Sequence, residues 1–314
     1  MEHVLITGGA GYIGCVLTPM LLDRGCQVTV IDNLMYGAQG ILPCFSHSNF
    51  EFLRGDVRDE EFMRNNIAQA DVVIHLAAIV GYPACDKDPS LARQVNELAT
   101  FSLADMVSKN QLVIAASTGS NYGALREGIC TEETPLQPLS VYGETKTNAE
   151  KYVLDAENCS AVALRFATAF GFSPRLRLDL LINDFVFQVV KNNYLVVYEK
   201  SFMRTFLHVR DIAKAILFSM ENRDEMLNNV YNVGSDEMNM SKEQIVLLLK
   251  EYRPDYYLHF AEVGTDEDKR DYVVSYEKIR KLGFETTVSI REGIEELLRV
   301  IDVVDLPRSI YSNV

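Results

Sequence analysis

Val4-Leu5-Ile6-Thr7-Gly8-Gly9-Ala10-Gly11-Tyr12-Ile13-Gly14 runs from a short apolar strand straight into a glycine cluster that opens a helix. Val16, Leu17, Met20 and Leu21 follow with helical apolar spacing. The cluster satisfies both Gly-x-x-Gly-x-x-Gly (Gly8, Gly11, Gly14) and Gly-x-Gly-x-x-Gly (Gly9, Gly11, Gly14). At such a turn the backbone must bend sharply and approach a pyrophosphate closely, so that N–H groups at the helix N-terminus can bind it. Asp32 closes the second strand, Val28 to Ile31, where a carboxylate can accept hydrogen bonds from an adenosine ribose. Neither Asn33 nor Leu34 offers a cation to a 2′-phosphate, so the expected cofactor is NAD rather than NADP.

Outward from this unit, β-rich runs recur at Val4 to Thr7, Gln27 to Ile31, Phe50 to Leu53, Val72 to Leu76, Leu112 to Ala116 and Ala161 to Phe166. Helical spacing fills most of the intervals. This alternation predicts an α/β fold, a Rossmann-type doubly wound parallel sheet covered on both faces. The pattern loosens after about residue 170, where a Gly-Phe-Ser-Pro turn precedes a helical stretch from Leu180 to Val190. Residues 1–170 are expected to form the dinucleotide-binding domain, with 205–233 returning to it, and residues 171–314 a smaller α/β substrate domain.

Composition sets the outer bounds. The 314 residues are 48% hydrophobic and 24% charged, an ordinary globular balance that excludes disordered and fibrous classes. Thirty basic against 44 acidic residues leave a net charge of -14, without a Lys/Arg cluster, so no nucleic-acid surface is expected. Apolar runs fall short of the roughly 20 residues of a membrane span, and the chain opens on its first strand without a charged leader. A cytoplasmic protein without a membrane partner is expected. Cys15, Cys26, Cys44, Cys85, Cys130 and Cys159 form no Cys-x-x-Cys pair and have no nearby histidine couple. They read as reduced, buried thiols, and no metal site is expected.

Tyr142 and Lys146 are four residues apart, so on a helix they share a face. An adjacent ammonium favours phenolate over phenol and would bring Tyr142 toward the range of a general base. Upstream, Ala116-Ser117-Thr118-Gly119-Ser120-Asn121-Tyr122-Gly123 is a hydroxyl-rich strand end, where sites of parallel sheets lie. His75 and His208 fall inside apolar runs and read as structural, and the acidic run Asp266 to Asp268 reads as a solvated face.

With these elements in this order, the chain resembles the extended short-chain dehydrogenase/reductases of the nucleotide-sugar epimerase and dehydratase group over essentially its whole length. The matching stretches are Gly8 to Gly14, Asp32-Asn33-Leu34, Gly55-Asp56-Val57, His75-Leu76-Ala77-Ala78, Asn96, Ser117-Thr118 with Tyr122-Gly123, Tyr142 to Lys146, and His208-Val209 with Asp211. The resemblance implies tightly bound NAD and a nucleoside diphosphate sugar substrate. It places Gly8, Gly11, Tyr12, Ile13, Gly14, Asp32, Asn33, Leu34, Asp56, Val57, Leu76, Ala77, Ala78, Asn96 and Ser117 at the cofactor, together with Tyr142 and Lys146. Tyr142 would take the proton of the sugar 4-hydroxyl, Lys146 would hold the nicotinamide ribose, and Thr118 would position the 4-oxygen. A hydride leaving C4 would then give a 4-keto sugar.

Family 4,6-dehydratases carry an Asp-Glu pair directly after the threonine, where this chain has Gly119 and Ser120, so dehydration lacks its acid and base. A 4-epimerase and a 4-dehydrogenase both stay open, as does a 4-ketoreductase. A non-catalytic NAD sensor would have no need of a tuned tyrosine. Thr168 and Thr205 depart from the commonest UDP-galactose epimerase pattern, and Gly171 to Leu180 is similar to a branch serving bacterial surface polysaccharides, including enzymes that oxidise GDP-heptose at C4. Val80, Tyr82, Thr118, Thr168, Arg175, Arg177, Arg204 and Arg270 are the candidate substrate contacts, the arginines for anionic groups. Tyr82 reads equally as a packed aromatic. A homodimer is implied, through the helix bearing Tyr142 and the one before Ser117.

Overall fold

The structure, a computed structural model, describes residues 1–124, 128–262 and 270–313. The first strands along the chain are β1 (His3–Thr7), β2 (Gln27–Asp32), β3 (Phe50–Arg54), β4 (Val72–His75), β5 (Leu112–Thr118) and β6 (Ser160–Phe166). They are followed by β7 (Thr168–Phe170), β8 (Tyr194–Tyr198), β9 (Met203–His208), β10 (Asn229–Val233), β11 (Asn239–Ser241) and β12 (Tyr257–Ala261). Seven strands form one sheet in the order β10-β6-β5-β4-β1-β2-β3, and every pairing in it is parallel. This is the Rossmann-type α/β arrangement that the strand–helix alternation predicts.

Alternation along each strand divides the core into two layers. Val4, Ile6, Val28, Val30, Ile74 and Ile114 pack on one face against Leu17 and Leu21 of helix Gly14–Asp23 and Ile212 and Ile216 of helix Val209–Glu221. Leu5, Ile31, Val73, Val113 and Ala161 pack on the other against Met63, Leu103 and Val153. Residues on both faces are apolar because both are covered.

β10 completes the sheet beside β6, in register Val233 opposite Phe166. A second core, with Phe170, Leu176, Ile182, Phe206, Leu249, Ile294 and Leu297, lies beneath a three-stranded sheet in the order β11-β9-β7 and the parallel pair β8 and β12. The sequence reading did not anticipate that Tyr272, Val274, Tyr276, Ile279 and Phe284 join the first core rather than the second. Because β1 lies between β2 and β4, the crossovers diverge on its two sides, and a crevice opens at the carboxyl ends of these strands.

Candidate active site

A cavity of about 580 Å3 occupies this crevice. Its lining includes Gly8, Gly11, Tyr12, Ile13, Gly14, Asp32, Asn33, Asp56, Val57, Leu76, Ala77, Ala78, Ser117, Thr118, Tyr142 and Lys146. Val80, Tyr82, Thr168, Arg175, Arg177 and Arg270 join them. Separated by up to 262 positions in sequence, these residues are gathered by strand ends and by turns from the second core.

Leu34, Asn96 and Arg204 are not among the residues that line this cavity. Leu34 turns at φ 63° and uses its backbone N–H on Asp32 Oδ1, at 2.8 Å. Asn96 is fully buried and clamps Ile79, accepting from its N–H at 2.8 Å and donating to its carbonyl at 2.9 Å. It therefore fixes the loop after β4 from behind. Arg204 is buried on β9, where its Nη1 donates to the Met203 carbonyl at 3.1 Å. The acidic run Asp266 to Asp268 lies outside the described residues.

At the glycine turn, Gly8 has φ 71°, and a Cβ there would meet the Ala77 Cα and N at 2.7 Å. Only glycine lets the ends of β1 and β4 close to this separation. Asp32 ties the same turn to β2 by accepting from the Ala10 N–H at 3.0 Å, and burial pushes its carboxyl up. Asp56 is chelated by Arg58, with Nε and Nη2 each at 2.8 Å, which holds it well below the usual carboxylate range.

β5 delivers Ser117 and Thr118 to the crevice, and helix Val141–Asp155 delivers Tyr142 and Lys146. Ser140 caps that helix by accepting from the Gly143 N–H at 3.2 Å, which puts Tyr142 in the first turn, at the positive end of the helix dipole. Thr118 hydrogen-bonds Tyr142 and lies 3.1 Å from Ser120 Oγ, while Arg270 Nη1 donates to the same Oγ at 2.7 Å. Burial, and then the neighbouring Cys85, push the Tyr142 phenol up, opposed by the Thr118 hydrogen bond and the charges of Arg177 and Arg270. Among these opposing influences the Thr118 hydrogen bond is the largest.

Lys146 is 5% exposed, and burial pushes its ammonium down to about 8, with Glu150 the main opposing influence. Sequence reasoning missed Glu150, although its spacing of four from Lys146 places it on the same face. Its carboxylate meets Arg165 Nη2 at 2.6 Å and accepts from Ser117 Oγ at 2.5 Å. Ser117 thus lines the cavity yet commits its hydroxyl to this buried network. His75 and His208 are structural, the first held by Thr7 at 2.7 Å and Thr100 at 3.0 Å, the second by Glu296 at 2.9 Å. Sequence reasoning also missed Tyr36, Tyr272 and Asn313 in the lining. Asn313 carries no local signal, because only the fold brings the chain end to this crevice.

The profile of the NAD dependent epimerase/dehydratase family matches residues 4–234, and the chain belongs to that family. It is 29% identical over 301 residues to the low-salt glycan biosynthesis protein Agl12 of Haloferax volcanii, covering 93% of this chain and 96% of that protein. A UDP-glucose 4-epimerase of Halalkalibacterium halodurans is 30% identical over 267 residues, covering 77% of this chain and 78% of its own. Among solved structures, the Thermus thermophilus UDP-glucose 4-epimerase complex with NAD superposes with a TM-score of 0.83 at 26% identity, covering 97% of this chain and 100% of that one. The Bacillus cereus UDP-glucuronic acid 4-epimerase, solved with UDP-glucuronic acid and NAD, gives 0.84 at 25% identity, covering 96% and 99%.

Proposed function

We propose that this chain oxidises C4 of a nucleoside diphosphate sugar with tightly bound NAD, as a 4-dehydrogenase or 4-epimerase. The observation that carries the reading is the convergence of Thr118, Tyr142 and Lys146 on the cavity that also holds the glycine turn. The residues present fit the cofactor: the turn opened by Gly8, the Asp32 carboxylate at the end of β2 and a cleft of about 580 Å3. Bound there, NAD supplies the acceptor for the hydride from C4. Tyr142 accepts the proton of the 4-hydroxyl at its Oη, Thr118 orients the 4-oxygen, and Lys146 holds the nicotinamide ribose. Arg177 and Arg270 lie where an anionic substrate group would be met, and Tyr82, Val80 and Thr168 would border the sugar.

Gly119 and Ser120 supply no carboxylate beside Thr118, so proton transfer at the neighbouring carbons has no acid or base there. This favours C4 oxidation over 4,6-dehydration. A GDP- or UDP-linked hexose or heptose, in surface polysaccharide synthesis, is the substrate class we assign. Near-ultraviolet absorbance of the NAD-loaded protein mixed with UDP-, GDP-, dTDP- and CDP-linked sugars tests this. A stable reduced-nicotinamide band identifies a 4-dehydrogenase, and conversion to the C4 epimer without a lasting band identifies a 4-epimerase. Neither response to any sugar overturns the reading.

A further inference from the structure

Arg175 and Arg177 sit two residues apart, and both line the cleft. Arg177 pairs with Asp179 at 2.5 Å and acts on Tyr142, and its Nη2 lies 3.9 Å from a Cβ position on Gly81. Arg175 bears on Asp32 at the end of β2 and on Cys15 in the helix that the glycine loop opens. The turn that carries it is stitched to that loop: Tyr12 Oη donates to the Gly171 carbonyl at 2.7 Å, and Ser173 Oγ donates to the Tyr12 carbonyl at 2.7 Å. The Arg175 backbone packs on the segment that follows β2, so closely that a Cβ at Gly40 would lie 2.8 Å from its N. Its guanidinium covers the Tyr36 ring, 5.0 Å from the centroid.

Two of its three nitrogens are committed. Nη1 donates to the Leu176 carbonyl at 2.7 Å and Nη2 to Asn313 Oδ1 at 2.8 Å. Nε is buried without a hydrogen-bond partner, on a side chain that is 5% exposed and lines the cavity. A buried guanidinium N–H left unmet is costly, and an oxyanion in the cleft would satisfy it with a charge-assisted bond. We infer that Arg175 is a binding residue for the diphosphate of the bound dinucleotide, pre-set by Tyr36 and Asn313, and not a contact to the sugar nucleotide. It would complement the glycine-loop N–H groups with a side-chain cation from the opposite wall. It rests on the reading that the chain binds NAD.

Calorimetry on the full chain, with NAD, ADP-ribose, UDP and GDP as probes, tests the inference. In Arg175→Met, the Kd for NAD and ADP-ribose is expected to rise about tenfold or more, while UDP and GDP bind as to wild type. Arg175→Lys keeps the charge without the planar fork and is expected to lose less, and it carries the test if the methionine variant fails to fold. Unchanged NAD affinity in a folded variant overturns the inference. So does selective loss of UDP or GDP, or an equal loss of all four probes. Failure of the wild-type chain itself to bind NAD would instead sink the reading beneath it.

Discussion

Glu150, one helical turn beyond Lys146, is closed by Arg165 into a buried ion pair, with Nη2 at 2.6 Å from Oε1 and Nε at 2.9 Å from Oε2. Asn121 Nδ2 donates to the same carboxylate at 3.2 Å, and Arg165 Nη1 donates to Tyr122 Oη at 2.9 Å. The groups that interact with Lys146 are Glu150 on its own helix, Cys85 on helix Tyr82–Lys87 and His75 on β4. Burial pushes the Cys85 thiol up to about 12 and His75 down to about 3, so both are neutral near pH 7, and Glu150 is the group that most opposes burial at Lys146.

Glu150→Gln should therefore lower the Lys146 ammonium further below its present value of about 8. If the Lys146 ammonium holds the nicotinamide ribose as proposed, loss of its proton would inactivate the site, and the alkaline limb of the pH–rate profile should move toward lower pH. Wild-type stability has the opposite sign. The unfolded chain holds the lysine proton up to about 10.5 and the folded chain only to about 8, so stability rises with pH across that window. The variant also leaves the Arg165 guanidinium buried and unpaired, which costs about 3–5 kcal/mol. Glu150→Gln combined with Arg165→Met removes that charge and isolates the effect on Lys146. An unmoved alkaline limb in the double variant would show that Glu150 does not govern the lysine.

Tyr142→Phe should reduce turnover by about 10^2–10^4-fold while NAD still binds, since it deletes the proton acceptor and little of the cleft. Thr118→Val acts on the same atom differently. It removes the hydrogen bond that opposes burial at Tyr142, so the phenol should rise further. The limb of the pH–rate profile that reports phenolate should then shift to higher pH. Calorimetry with NAD and the two pH profiles check both outcomes, and loss of NAD binding in Tyr142→Phe would refute the assigned role.

Gly8→Ala should cost stability twice over. The residue sits at φ 71°, and the added Cβ would meet Ala77 at 2.7 Å, forcing β1 and β4 apart at the cofactor end. The conformational part alone is about 1–2 kcal/mol. Gly25→Ala provides the comparison, because it shares a positive φ of 79° but a Cβ there meets nothing within 4 Å. Thermal unfolding should fall in both variants, and NAD affinity only in the first.

The parallel sheet was readable because strands covered on both faces are apolar without interruption, as Val72-Val73-Ile74 shows. The glycine turn and the Tyr142–Lys146 pair were readable because each is set by spacing within one element. Asn96 was less legible, because an amide in the right segment can face a backbone as easily as a cleft, and here it grips Ile79. Arg175 and Arg177 make a related point: that both line one cavity, linked through Asn313 and Asp179, follows from long-range docking and not from their spacing. Asn313 and Tyr272 were invisible, since long-range packing alone brings them to the site.

Helix Ala99–Met106 lies beside helix Val141–Asp155, and their outer faces carry Phe101 stacked on Tyr152 with ring centroids 4.1 Å apart. Leu98, at the start of this face, is 54% exposed. Two such helix pairs related by a two-fold axis would make a self-complementary, four-helix contact that covers the leucine. We therefore expect a homodimer, with light scattering giving twice the chain mass of 35.4 kDa. Leu98→Asp places a carboxylate at that contact and should yield monomer, without moving Tyr142 or Lys146, which face inward from helix Val141–Asp155. A wild-type mass of one chain would refute the dimer. A dimer that survives Leu98→Asp would put the interface elsewhere.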